Sequence, residues 1–243
     1  MISAPSVSMP VFGLTLRSLL GGRKAVALGL LAALPIVAAL VFASAGHIAP
    51  VLFWARLVQR MLLPTVTAFV AVVIGASAIG DEREDGTILY LAATPLSRIT
   101  LVLTKVLASW TASMALLVPS VLIAGIVALR SDASASLLVW PLVAVALTAF
   151  CYCAAAAWLS LTIRRPVVIG VLYILLWEGS IATFAASADR FSIAAYGRAI
   201  AVEGVIDVNA PGVSAPVAVI VLAIVSAVAI WAAARRMVRT ELP

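Results

Sequence analysis

Apolar residues run almost unbroken along the chain, in blocks at residues 25–45, 61–80, 99–129, 137–163, 167–188 and 215–234. Each block is long enough to cross a bilayer, which takes about 20 residues as helix. Within the blocks the apolar positions are continuous rather than alternating, which predicts helices and argues against a barrel. The pattern predicts an all-α integral membrane protein, with residues 1–243 forming a single six-span domain. The third block exceeds what a span needs, at about 46 Å if fully helical. Either Pro119, which lies within it, kinks it, or its first turns stand in the cytoplasm.

Ahead of the first block, Phe12, Leu16, Leu19 and Leu20 recur at helical spacing, with Arg17 and Lys24 off that stripe. This predicts an N-terminal amphipathic helix lying on the membrane surface. A disordered tail is the alternative, because Gly21-Gly22 follows at once. Arg23-Lys24, the apolar run and Ala43-Ser44-Ala45 also imitate a signal peptide. The run is longer than the usual apolar stretch of about 7–15 residues, which argues against cleavage. The polar interruption at residues 189–214 predicts a loop with a short helix from Ser192 and turns at Gly204 and Pro211-Gly212.

Composition agrees with the pattern. The chain is 65% hydrophobic and 11% charged, with a mean hydropathy of +1.21, whereas a soluble domain averages about 25% charged residues. A net charge of +6 raises nucleic acid as a partner, but no basic stripe interleaved with aromatics exists, so none is expected. The basic residues cluster instead at the ends of apolar blocks. With both termini cytoplasmic, Arg17, Arg23, Lys24, Arg83, Arg98, Lys105, Arg164, Arg165, Arg235, Arg236 and Arg239 face inward. Arg56, Arg60, Arg130, Arg190 and Arg198 then face outward. The excess of basic residues inside favours this orientation in the cell's inner membrane. Cys151 and Cys153 fall on different faces of a helix and cannot bridge each other. His47 is the one histidine and has no cysteine near it, so no metal site is expected.

Between the second and third blocks stands Gly80-Asp81-Glu82-Arg83-Glu84-Asp85-Gly86-Thr87, a dense run of charge in a chain with few charges. Ile88 to Ala93 then read as a short helix. Pro95 stops it, and Ser97 is placed to cap the next helix. The acidic residues precede the start of the short helix, where negative charge is favourable. Such a helix is too short to be stable alone and needs a surface to pack on. From the residues alone, a docking element and a solvated hairpin that merely reverses the chain are both open.

The pattern Glu82-Arg83-Glu84, Gly86-Thr87, Leu91, Pro95, Ser97-Arg98 and Lys105, with the six-span layout, resembles the ABC type-2 permeases. These are membrane subunits of ABC exporters, and include the nitrous-oxide-reductase accessory permease branch. The resemblance implies that the charged segment is a coupling helix that docks on an ABC ATPase subunit, through Glu82, Glu84, Gly86 and Thr87. It also implies a second permease copy, as a homodimer embedded in membrane lipid. The chain has no GxxxxGK[ST] phosphate loop, so no cofactor is expected on it, and ATP and Mg belong to the partner ATPase. Arg164-Arg165 forms either a second cytoplasmic contact or a topology anchor.

The remaining candidate is Glu178, an ionisable residue inside the fifth block. Such residues usually face the bundle interior, pair, or lie near water. Three readings are open: a lock between spans (through Arg190 if the helix end bends inward), a polar contact in the translocation path or dimer seam, or an interfacial position if the span ends near Trp177. An ion- or proton-coupled secondary transporter and a non-transporting membrane assembly factor remain the alternative functions. A membrane metalloprotease or serine hydrolase lacks the clustered histidines or nucleophile–base pair it would need.

Overall fold

The computed structural model describes residues 9–45, 49–84, 97–132, 134–181, 191–204 and 212–239. Among these residues all regular structure is helical. The amphipathic stripe ahead of the first block forms α1 (Met9–Leu20), which packs on the later helix α5. The first apolar block is α2 (Arg23–Ala45). The next helix begins earlier than the hydropathy pattern predicts. It starts with α3 (Pro50–Leu57), continues through a wide π-helical stretch (Val58–Thr67), and ends as α4 (Ala68–Glu84). Pro50 sits in its first turn, where the missing N–H costs nothing. Pro64 lies inside the π stretch, whose altered ladder accommodates a residue that cannot donate.

The third block is α5 (Arg98–Leu129), 32 residues with Pro119 inside it. Ser97 caps it as expected, accepting from the Thr100 N–H at 3.2 Å. The fourth is α6 (Ala135–Thr162). The fifth opens as α7 (Pro166–Tyr173) and continues as a π stretch over Ile174–Ile181. Helix α8 (Ile193–Ala201) follows, and α9 (Ala215–Arg239) completes the described chain. Among the described residues five helices are long and apolar enough to span a membrane, and α7 with its π extension is a shorter apolar element.

Burial ranks these helices. In an 18-residue apolar stretch of the Pro50–Asp81 span 83% of the residues are buried, against 22% in Lys24–Ser44 and 28% in Ala215–Met237. The core is therefore the α3–α4 rod, with α5, α6 and α7 packed on α4. Helix α2 lies on the outside of α5, and α9 on the outside of α6 and α5. Their exposed faces are apolar, as at Leu30, Val41, Ile224 and Val228, which suits contact with lipid chains. Cys151 and Cys153 are buried and unbridged.

Helix α4 meets the backbone of α6 at Gly75, where an added Cβ would stand 2.9 Å from the Cys153 Cα. Backbone cannot yield there as a side chain could. Gly75→Val is therefore expected to cost about 1–3 kcal/mol or more through overpacking. A lowered thermal midpoint of the detergent-purified protein, with a smaller fall for Gly75→Ala, checks it.

Candidate functional site

The helix directions bring most of the sequence-predicted residues to two ends of the bundle. At one end, Lys24 near the start of α2 places its Nζ 2.9 Å from both carboxylate oxygens of Asp81 in α4. This pair is largely exposed, so it contributes at most about 1 kcal/mol. Its significance is positional, because it sets α2 and α4 antiparallel. Deeper in, Lys105 of α5 is 1% exposed and donates from Nζ to the Ala78 carbonyl at 3.0 Å. Ser160 of α6 donates to the Ala76 carbonyl at 3.0 Å. The last turns of α4 are thereby tied to both neighbouring spans.

Glu82 and Glu84 lie in the final turn of α4. Gly86 and Thr87, with the predicted short helix at 88–93, lie outside the described residues. The turn that carries Arg164 and Arg165 leaves both side chains exposed. It stands beside α4, since a Cβ on Gly80 would meet Pro166 Cγ at 3.5 Å. The charged end of α4 and the Arg164-Arg165 turn, some 80 residues apart in sequence, thus share one end of the bundle.

At the opposite end the Trp54 indole donates to the Leu137 carbonyl at 2.8 Å, joining α3 to α6. Arg130, which closes α5 with a positive φ of 52°, donates to the Ala43 carbonyl of α2. Glu178 lies between the two ends, level with Tyr152 in the interior of α6. It sits in the π stretch after α7 and is 2% exposed. The interfacial, exposed position is therefore corrected: the helix continues past Trp177 and turns the carboxylate inward.

Four donors converge on that carboxylate. Tyr152 of α6 donates its hydroxyl to Oε1 at 2.8 Å, and Tyr173 of α7 donates to the same oxygen at 3.3 Å. Ser192 donates to Oε2, and the Ala194 N–H points to Oε1 at 3.4 Å. Ser192 Oγ in turn accepts from the Ala195 N–H at 3.0 Å, which makes it the N-cap of α8. An acceptor-only group meets donors alone, at a helix N-terminus where negative charge is favourable. The arrangement pins α8 to α6 and α7. Gly197 allows α8 to seat closely, since a Cβ there would lie 2.4 Å from Thr148 Oγ1. Arg190 lies outside the described residues.

Sequence reasoning found Glu178 and the short helix from Ser192, but missed Tyr152 and Tyr173 and the bond of Ser192 to the carboxylate. The available signal was chemical: a tyrosine within an apolar block usually needs a partner for its hydroxyl.

Among the described residues no group of His, Cys, Asp and Glu could hold a metal ion. Helices of spanning length, a lipid-compatible surface and polar ties at the two ends define a multi-pass, all-α membrane protein. The chain belongs to a known family of such proteins: the profile of the ABC-2 family transporter protein matches it over residues 29–192. It is thus the membrane permease of an ABC transporter, a transport subunit rather than a catalytic one. Membership implies partnership with an ABC ATPase subunit. No curated protein matches the chain by sequence.

Proposed function

We propose that the protein is the permease half of an ABC exporter, working as a homodimer with a pair of ABC ATPase subunits that carry ATP and Mg. The observation that carries this reading is the meeting of two remote segments at one end of the bundle. There the charged end of α4, leading into Gly86 and Thr87, lies alongside the Arg164-Arg165 turn. An acidic segment beside an exposed basic turn offers a partner both signs of charge on one face. Closure of the ATPase pair on ATP would push that face. The last turns of α4, joined to α5 by Lys105 and to α6 by Ser160, would pass the displacement into the spans. On this reading the segment with Glu82, Glu84, Gly86 and Thr87 is the coupling element, and Arg164 and Arg165 form a second contact. Both termini are cytoplasmic and the membrane is the inner one.

Topology and partnership test the proposal together. Single cysteines at Gly86, Ser131 and Gly204 on a Cys-less background are expected to react differently with an impermeant thiol reagent in intact cells. Positions 131 and 204 should label from outside, and position 86 only after lysis. The chain is also expected to co-purify with its ABC ATPase and to stimulate ATP hydrolysis. External labelling of position 86 would reverse the orientation and exclude ATPase contact there.

A further inference from the structure

A cleft of about 380 Å³ opens between α1, α2 and α4 at the end where Lys24 and Asp81 pair. Its inner wall is apolar, with Leu28 and Ile74 among the lining residues. Lys24 and Asp81 also line it, as does Ser77. Ser77 is 6% exposed, and its hydroxyl has no hydrogen-bond partner. A buried hydroxyl without a partner costs about 1–3 kcal/mol, so this atom calls for a ligand that offers it an oxygen.

The occupant follows from position and charge. The cleft lies where a surface helix meets two spans, at the level where apolar blocks give way to charge. Leu28 of α2 and Val73 of α4 carry its apolar wall away from the charged rim. Its rim holds one cation and one anion, 2.9 Å apart. Lys24 also belongs to the first turn of α2, whose N-terminus favours an anion. A soluble anion would match Lys24 but repel Asp81, and a purely apolar guest would leave Ser77 unanswered. A molecule with a phosphate, an ammonium two carbons away and acyl chains satisfies all of these features. We infer that this cleft binds an amine-bearing phospholipid, its phosphate on Lys24, its ammonium on Asp81 and an ester or phosphate oxygen on Ser77. The lipid would wedge α1 against the spans, with its chains along α2.

The full-length chain, delipidated in detergent, is titrated in native mass spectrometry with four probes. These are dioleoyl phosphatidylethanolamine, phosphatidylcholine, phosphatidylglycerol and inorganic phosphate. One phosphatidylethanolamine per chain is expected, held about five-fold or more tighter than phosphatidylglycerol because only the former answers Asp81. Phosphatidylcholine, whose quaternary ammonium has no hydrogen to donate, should also fall behind. Asp81→Asn should bring phosphatidylethanolamine down to the phosphatidylglycerol level and leave or improve the latter. Lys24→Met should weaken both. Both residues are largely exposed, so either change should move the melting point by no more than about a few degrees. Ser77→Ala, which removes the hydroxyl without adding bulk, should weaken every lipid. Equal retention of phosphatidylethanolamine and phosphatidylglycerol, with no effect of Asp81→Asn, would overturn the inference. So would retention of inorganic phosphate alone, or of no lipid at all.

Discussion

Replacing Glu178 with alanine is expected to destabilise the protein by about 3–5 kcal/mol and to release α8 from the bundle. The change removes the acceptor for Tyr152, Tyr173, Ser192 and the Ala194 N–H together. Tyr152 and Ser192 are almost fully buried, at 1% and 0% exposure, and have no route to water. Each unanswered donor costs about 1–3 kcal/mol, and the sum is reduced because hydroxyls can rotate toward other acceptors. Glu178→Gln should cost less, about 1–2 kcal/mol. Its amide oxygen can replace Oε1, while its amide N–H meets a Ser192 hydroxyl that already accepts from Ala195. Ser192→Ala removes the cap and one donor, and should cost about 1–2 kcal/mol. A double-mutant cycle of Glu178→Ala with Tyr152→Phe should give a coupling of about 1–3 kcal/mol. Thermal melts give the totals, and hydrogen exchange over residues 193–201 gives the local part. Wild-type melting and unchanged exchange in Glu178→Ala would remove the locking role. Normal assembly of Glu178→Gln with altered cargo preference would place the residue in the transport path instead.

The contrast between the spans and this network shows what the sequence could reveal. Hydropathy located the helices because a bilayer-crossing segment must be apolar over its whole length. It failed at the start of the second span, where α3 begins at Pro50. Arg56 and Arg60 lower the local hydropathy there, yet both point outward, one turn apart on one face, while Trp54, Leu57 and Val58 are buried. A sliding average cannot separate those faces. Glu178 was legible as a difficulty, since a carboxylate in an apolar block needs partners. The partners were not, because Tyr152 is 26 residues away and Ser192 is 14. The pairing of Lys24 with Asp81, 57 residues apart, was hidden for the same reason. Only the packing of α2 on α5 and of α4 on α6 brings such groups together. Ser97 was legible because capping is local.

Glu84→Lys and Gly86→Val are each expected to reduce permease-stimulated ATPase activity and transport about ten-fold or more, with insertion and melting point unchanged. A ten-fold loss corresponds to about 1.4 kcal/mol at the contact, and like-charge juxtaposition in an interface can cost several kcal/mol. Glu84 ends α4, so its inversion acts on docking rather than on the core. Gly86 stands between the acidic run and the apolar Ile88–Ala93 stretch. Valine there narrows the backbone choices by which the chain can turn. Ser160→Ala provides the mechanical contrast. It leaves the docking residues intact but removes the bond from α6 to the Ala76 carbonyl. If docking and transmission are separate steps, Ser160→Ala should keep ATPase binding at the wild-type level and lose part of the stimulation. Glu84→Lys should lose binding itself. Measuring ATPase co-purification and stimulated hydrolysis on the same preparations separates the two. Full coupled activity in both Glu84→Lys and Gly86→Val would reduce residues 81–97 to a hairpin that only reverses the chain.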